Sequence, residues 1–220
     1  MNLNPMRSVA DQVLALRNMP VEGSIVDLVP YSHDHHDAII ALRNTERASY
    51  FLLQREPLTV EKQTRWFDGV LARRDDVQWT IMRKDGVIVG ATALYGIAED
   101  RSRAEKGRLV IDESRSREAP YTLEAELLLL DIAFGMFGIQ RVETSVRHDN
   151  GVMQSINTRL GFVHTHSHDN SGVEYYLSSL SADQYQPAAL RAVVDAWARR
   201  AQRPTRNANS PADSAITLAR

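Results

Sequence analysis

The sequence predicts an α/β domain in which a mixed sheet carries helices on both faces. Three observations predict it. Strand-like and helix-like runs alternate along most of the chain. Residues 121–137 are apolar nearly all round, as a helix buried against a sheet must be. Asp85-Gly86 and Asp169-Asn170-Ser171-Gly172 each join two strand-like runs in a way that signals a hairpin.

Val9, Val13 and Leu16 recur at helical spacing, which predicts a short leading helix over 6–18. Residues 24–30 form a β-rich run ended by Pro30, and 34–44 a helix carrying Ile39, Ile40 and Leu42. Thr59 is an N-cap candidate for the next helix, with Glu61 and Lys62 in its first turn. Its apolar stripe is Val60, Trp66, Phe67, Val70 and Leu71. Strands are predicted over 77–83, 87–95 and 104–112, and Gly138 is placed to end the long helix. A strand over 140–147, a helix over 152–160 stopped by Gly161, and a hairpin of 162–168 with 172–179 complete the order β-α-α-β-β-β-α-β-α-β-β. Residues 185–202 form an amphipathic helix with Leu190, Val193, Val194 and Trp197 on one stripe, and from 203 onward the composition predicts disorder. The chain therefore divides into an N-terminal extension (1–23), one domain (24–180), a C-terminal helix (181–202) and a tail (203–220).

At 220 residues, 43% hydrophobic and 25% charged, the chain reads as an ordinary globular protein. A formal net charge of -2 supplies no field to recruit nucleic acid or an acidic membrane. The absence of cysteine excludes thiolate nucleophiles, disulfides and Cys-type zinc sites, and fits a reducing compartment. No run has the ~20 apolar residues that cross a bilayer, and the N-terminus lacks the apolar core of a signal peptide. The expectation is a cytoplasmic protein. His164, His166 and His168 alternate and so would share one strand face, yet three such rings seldom converge on one ion, so no metal is expected. His33, His35 and His36 read as a solvated first turn.

Three stretches resemble the GNAT acyltransferase superfamily, most of all its ribosomal-protein N-terminal acetyltransferase branch. Ala104-Glu105-Lys106-Gly107 resembles the start of that family's central strand, A-E-x-G. The run 117–125 (REAPYTLEA) lines up with its cofactor loop and helix start, and 150–162 (NGVMQSINTRLGF) resembles its later N-x-x-M-x-x-x-N-x-x-L-G-F signature. The element order matches over about 24–179. The resemblance implies a mostly antiparallel sheet and direct transfer of an acetyl group from acetyl-CoA to a primary amine. It implies acetyl-CoA contacts at Val110, Ile111, Asp112, Arg115, Arg117, Thr122 and Asn150. Glu105 would take the amine's proton, unless it is an exposed strand carboxylate paired with an arginine. Asn157 stands where many relatives have a proton-donating Tyr; it would hydrogen-bond the leaving thiolate, or else be a helix-surface amide. Tyr95 and Trp66 are candidates for the acceptor pocket, Trp66 also fitting the core.

One departure from the family is plain. Glu118 and Pro120 replace the loop's expected glycines, and proline offers no N–H to a phosphate. The expected acceptor is a small-molecule amine such as an amino sugar. The alternatives are a protein N-terminus as acceptor, or a binding module of the same fold without efficient transfer. The apolar stripe of 185–202 must bury against its own domain or a second subunit, which leaves a homodimer open.

Overall fold

The computed structural model describes residues 8–201. It opens with α1 (Val9–Leu16), whose Ser8 side chain accepts from the Asp11 amide and whose Val9, Val13 and Leu16 are buried. The predicted helix over 6–18 is therefore shorter, and its residues 6 and 7 lie outside the described residues. So do residue 202 of the last predicted helix and the 203–220 stretch for which disorder was expected.

Two strands follow, β1 (Val21–Glu22) and β2 (Val26–Pro30), the first too short to show a period. A 3-10 turn at His33–His35 leads into α2 (His36–Arg43). The sequence reading did not find α3 (Glu46–Phe51), a six-residue helix capped by Thr45. Thr59 caps α4 (Val60–Ala72) as expected, accepting from the Lys62 amide. The strands β3 (Asp76–Arg83), β4 (Ile88–Tyr95) and β5 (Arg103–Ile111) form a meander. The long apolar helix is α5 (Tyr121–Asp131), which passes into a π-helical turn at Ile132–Met136 rather than continuing as one helix to 137. β6 (Arg141–Arg147), α6 (Gly151–Leu160), β7 (Val163–Asn170), β8 (Val173–Ser181) and α7 (Ala188–Ala201) complete the chain.

The eight strands lie in the order β1-β2-β3-β4-β5-β6-β8-β7. Every neighbouring pair is antiparallel except β5 with β6, a parallel pair joined by a crossover through α5; α6 makes a second crossover, from β6 past β8 to β7 at the edge. α1 and α5 cover one face over a large apolar cluster, to which Leu160 of α6 and Val194 of α7 also belong. α2 and α4 cover the other face over a small one made of Tyr31, Ile39, Phe67, Val70, Ala91 and Val110. α7 packs on its own domain: Arg191 pairs with Asp131 and the Tyr185 hydroxyl reaches Asp131 at 3.1 Å, while Val193 and Trp197 stay partly exposed.

The histidines of β7 do not share a face. A bulge between His164 and His166 puts His164 opposite Ser178 and His166 opposite Leu177, adjacent and therefore opposite-facing positions of β8. His164 meets Tyr176 edge-on and His168 stacks on Tyr175, on the two sides of the hairpin.

Candidate active site

β5 and β6 are paired over three residues only, Arg103, Ala104 and Glu105 against Arg141, Val142 and Glu143. Beyond Glu105 the two strands separate, so the backbone of 106–111 has β4 on one edge and no strand on the other. The resulting gap is a groove of about 240 Å³, walled by Val110 and Ile111, by Thr122 at the start of α5, and by Asn150 and Met153 of α6. Helix α3 closes its outer side with Ala48, Phe51 and Leu52.

Polar ties hold α3 to both walls. Arg47 pairs with Glu113 on the β5 side and lies 5.0 Å over the Phe51 ring. On the α6 side the Tyr50 hydroxyl donates to Asp149 at 2.5 Å, and the Arg147 guanidinium lies 3.7 Å from the Tyr50 ring centroid. The bond to Asp149 raises the Tyr50 phenol's pKa.

The inner end of the groove lies where β5 and β6 part. Glu105 and Lys106 are successive strand residues, so their side chains leave on opposite faces. On the α4 side the Tyr95 hydroxyl donates to Glu105 Oε1 at 2.6 Å. Burial, and then the bond to Glu105, push the Tyr95 phenol's pKa up, so it stays a proton-bearing donor. Gly107 makes room for this pair, since a Cβ there would sit 2.7 Å from the Tyr95 hydroxyl. A bulge next to Gly107 sets Arg108 at φ 53, outside the usual region for an L-residue. Its guanidinium grips fully buried Asp76 in two bonds of 2.8 and 2.9 Å, 4.2 Å from the Tyr95 ring centroid and 5.5 Å from that of Trp66. On the α5–α6 side buried Lys106 meets Glu126 and donates to Asn157 Oδ1 at 2.9 Å.

The predicted site residues therefore separate into groups. Val110, Ile111, Thr122 and Asn150 line the groove, Asn150 also capping α6 through the Met153 amide. Glu105, Asn157, Tyr95 and Trp66 are not among the groove-lining residues: Glu105 and Asn157 lie near the point where β5 and β6 part, on opposite faces of the sheet, with Tyr95 and Trp66 on the Glu105 side. Asp112 is occupied with Ser114 and Arg115, and Arg115 also with Glu118, while Arg117 is exposed and outside the groove lining. The sequence reading missed Glu113, Ser116, Met153 and the α3 residues as groove lining, and Lys106 altogether. The A-E-K-G run flagged the right strand position, but nothing local marks the lysine as buried.

A family model described as "Acetyltransferase (GNAT) domain" matches residues 26–163, more than half of the chain. The chain belongs to the GNAT acetyltransferase family. No curated protein matches it by sequence. Among solved structures, a GCN5-related N-acetyltransferase from Brucella melitensis is 24% identical, with 82% of this chain and 85% of that one covered and a TM-score of 0.67. Spermidine N-acetyltransferase from Vibrio cholerae, in complex with CoA and spermine, is 13% identical over 74% of this chain and 99% of its own, TM-score 0.66. Apo FdhC, a nucleotide-linked sugar GNAT, is 17% identical over 80% and 99%, TM-score 0.68. These likenesses establish the fold, and the family match makes the protein an acyl-CoA-dependent N-acetyltransferase.

In this GNAT acetyltransferase the start of α5 leaves two backbone amides open despite the glycine-poor run before it. Pro120 stands at the N-cap of α5, where its missing N–H costs nothing. The next helical amides, Thr122 and Leu123, have no hydrogen-bond acceptor among the described residues. Glu118 does not point a charge into the groove. It pairs with Arg83 at 2.9 Å and Arg115 at 3.6 Å and accepts from the Tyr121 hydroxyl, outside the groove lining.

Proposed function

We propose that this GNAT acetyltransferase moves the acetyl group of acetyl-CoA directly to the primary amine of a small molecule, an amino sugar being the first class to test. The observation that carries the reading is the groove that opens where β5 and β6 part, just beyond Glu105, the last residue of β5 paired with β6. Acetyl-CoA, when bound, supplies an acetyl group already activated as a thioester. The open amides of Thr122 and Leu123, at the positive end of α5, suit its phosphates. The free edge of 106–111 suits its amide-bearing arm, which would add as a strand.

An amine is largely protonated at neutral pH and must lose that proton before its nitrogen can attack. Glu105 is the acceptor: Tyr95 occupies Oε1 and leaves Oε2 for the amine or an intervening water. The nitrogen–carbon bond forms, the nitrogen gives up its second proton to solvent water, the carbon–sulfur bond breaks, and the departing thiolate receives a hydrogen bond from the Asn157 amide. Trp66 and Tyr95 bound the acceptor side. No metal enters this scheme. Small-molecule acceptors are favoured by the near-neutral net charge of -2 and by two structural neighbours, one named for spermidine and one described as a nucleotide-linked sugar GNAT. No described helix is long and apolar enough to cross a membrane, and the cysteine-free chain fits the cytoplasm. A homodimer has a candidate surface in exposed Val193 and Trp197.

The test is thermal unfolding with and without acetyl-CoA, followed by thiol release with a panel of amines. Ligand at about 100 times its dissociation constant adds about 2.7 kcal/mol, and each kcal/mol moves Tm by roughly 2–4 °C in a protein of this size. With an accepted amine, Glu105→Gln should lower kcat by about 10²–10⁴-fold and abolish the rise of rate with pH on the acidic side. No thermal shift and no thiol release would sink the reading.

A further inference from the structure

The pair Lys106–Glu126 is the least expected feature of the groove. Lys106 is 2% exposed, Glu126 2% and Asn157 3%, and they come from β5, α5 and α6 respectively. A buried ion pair is a weak source of stability, because desolvating both charges offsets most of their attraction. Its position suggests another role. Lys106 is the first β5 residue beyond the last β5–β6 pair, and Asn157 lies one helical turn inward of Met153 on the same face of α6. The two therefore meet at the inner end of the groove.

An ammonium carries three donors and no acceptor, so it decides which end of a neighbouring amide faces it. Lys106 Nζ takes Asn157 Oδ1 at 2.9 Å, which turns the Nδ2 donor away from the lysine. Glu126 neutralises the ammonium, and the Phe162 ring 4.9 Å from Nζ closes the remaining side. An asparagine without this partner has two amide orientations, and one of them presents an oxygen lone pair to the departing sulfur.

We infer that Lys106 is a positioning residue that locks the Asn157 amide with Nδ2 toward the sulfur of the acyl donor, Glu126 serving to keep the lysine buried. The inference rests on the proposed use of acetyl-CoA. It accounts for an Asn where a group unable to give up a proton stands near a leaving thiolate: one held donor stabilises the thiolate by hydrogen bonding, and the proton exchanges with solvent afterwards.

The test uses the full chain with Asn157→Ala, the paired change Lys106→Met with Glu126→Leu, all three together, and Lys106→Gln with Glu126→Gln. The apolar pair removes both charges, a replacement that commonly leaves stability unchanged or raised. Losses in kcat on the order of tenfold to a hundredfold are expected for Asn157→Ala and for the apolar pair, with KM for acetyl-CoA little changed. The triple variant should be no slower than Asn157→Ala alone. The glutamine pair keeps an uncharged donor for Oδ1 and should restore most of the rate. Losses that multiply in the triple variant, a wild-type rate in the apolar pair, or a glutamine pair as slow as the apolar one would each overturn the inference.

A second readout needs no turnover. The thiolate absorbance of bound CoA, followed across pH, should rise at lower pH than for free CoA, and Asn157→Ala and the apolar pair should move it up equally. If wild-type protein binds no CoA, the functional reading fails and the inference with it. If it binds CoA and the variants titrate like wild type, the inference fails alone.

Discussion

On the face covered by α1 and α5, extended by α6 and α7, the described residues place twenty-seven buried apolar side chains in one cluster; on the face covered by α2 and α4 they place six. The groove lies between these unequal halves. The buried polar cluster of Lys106, Glu126 and Asn157 belongs to the heavily packed face, where close packing restricts the arrangements open to a side chain. The groups assigned to the acceptor amine, Glu105, Tyr95 and Trp66, belong to the lightly packed face, and the cover over the groove, α3, is held largely by exposed ion pairs and hydrogen bonds. On the proposed mechanism, the group that would hold the leaving thiolate thus sits in the heavily packed half, and the proton acceptor and acceptor-side aromatics in the lightly packed one. The difference also explains why a small hydrophobic cluster suffices on the α4 side, where the sheet is already anchored from behind.

The largest test of this contrast is a pair of core truncations. Leu129, fully buried in α5, and Ile39, 2% exposed in α2, are changed to Ala and the unfolding free energies compared in urea. Leu129→Ala should cost about 4 kcal/mol and Ile39→Ala about 2, because the thinner face can relax into the space left. Equal losses would break the distinction between the faces.

A smaller effect is expected at the cover. Tyr50→Phe removes the 2.5 Å bond to Asp149 but leaves the ring beneath Arg147. Exposed contacts of this kind are worth under about 1 kcal/mol, so KM should rise by no more than about fivefold while kcat holds. A fall in kcat instead would make α3 part of the reacting assembly.

The smallest effect concerns acid. Burial holds the pKa of His35 and His36 below the usual imidazole range, with the neighbouring charge of His33 adding to the effect at His36. The unfolded chain therefore binds protons that the folded one refuses. Their contribution to stability is complete above the ordinary histidine value of about 6.5 and is lost as pH falls below it. The urea midpoint should drop between about pH 7.5 and 5.5, and less so in His36→Gln. An unchanged drop in the variant would place the acid sensitivity elsewhere, for example in the carboxylates around α4.

Much of the fold was legible because the elements are long enough to show their period. The β3–β4 hairpin, the buried α5 and the cap at Thr59 all follow from residues two to four positions apart. α3 was not legible, since six residues with Tyr50 and Phe51 adjacent display no repeat. The β7 histidines misled for a related reason: alternation predicts a shared face only in an unbroken strand, and a bulge between His164 and His166 reverses it. In the candidate site, Glu105, Val110, Ile111, Thr122 and Asn150 came from matching short motifs, and Pro120 and Glu118 were legible only as departures from the loop's glycines. The tertiary structure adds that Pro120 stands at the N-cap of α5 and that Glu118 is taken up by Arg83, thirty-five residues away in sequence.

By itself the sequence determined the alternation of elements, the hairpins, the helix that must be buried and the family motifs, all of which depend on near neighbours along the chain. Tertiary structure alone decided where β5 and β6 part, which loop charges are neutralised, and that Lys106 is locked between Glu126 and Asn157. Glu126 and Asn157 lie twenty and fifty-one positions from Lys106, and no local period carries information across such a distance. Burial then turns that meeting from a solvated contact into a fixed one, because water no longer competes for the ammonium.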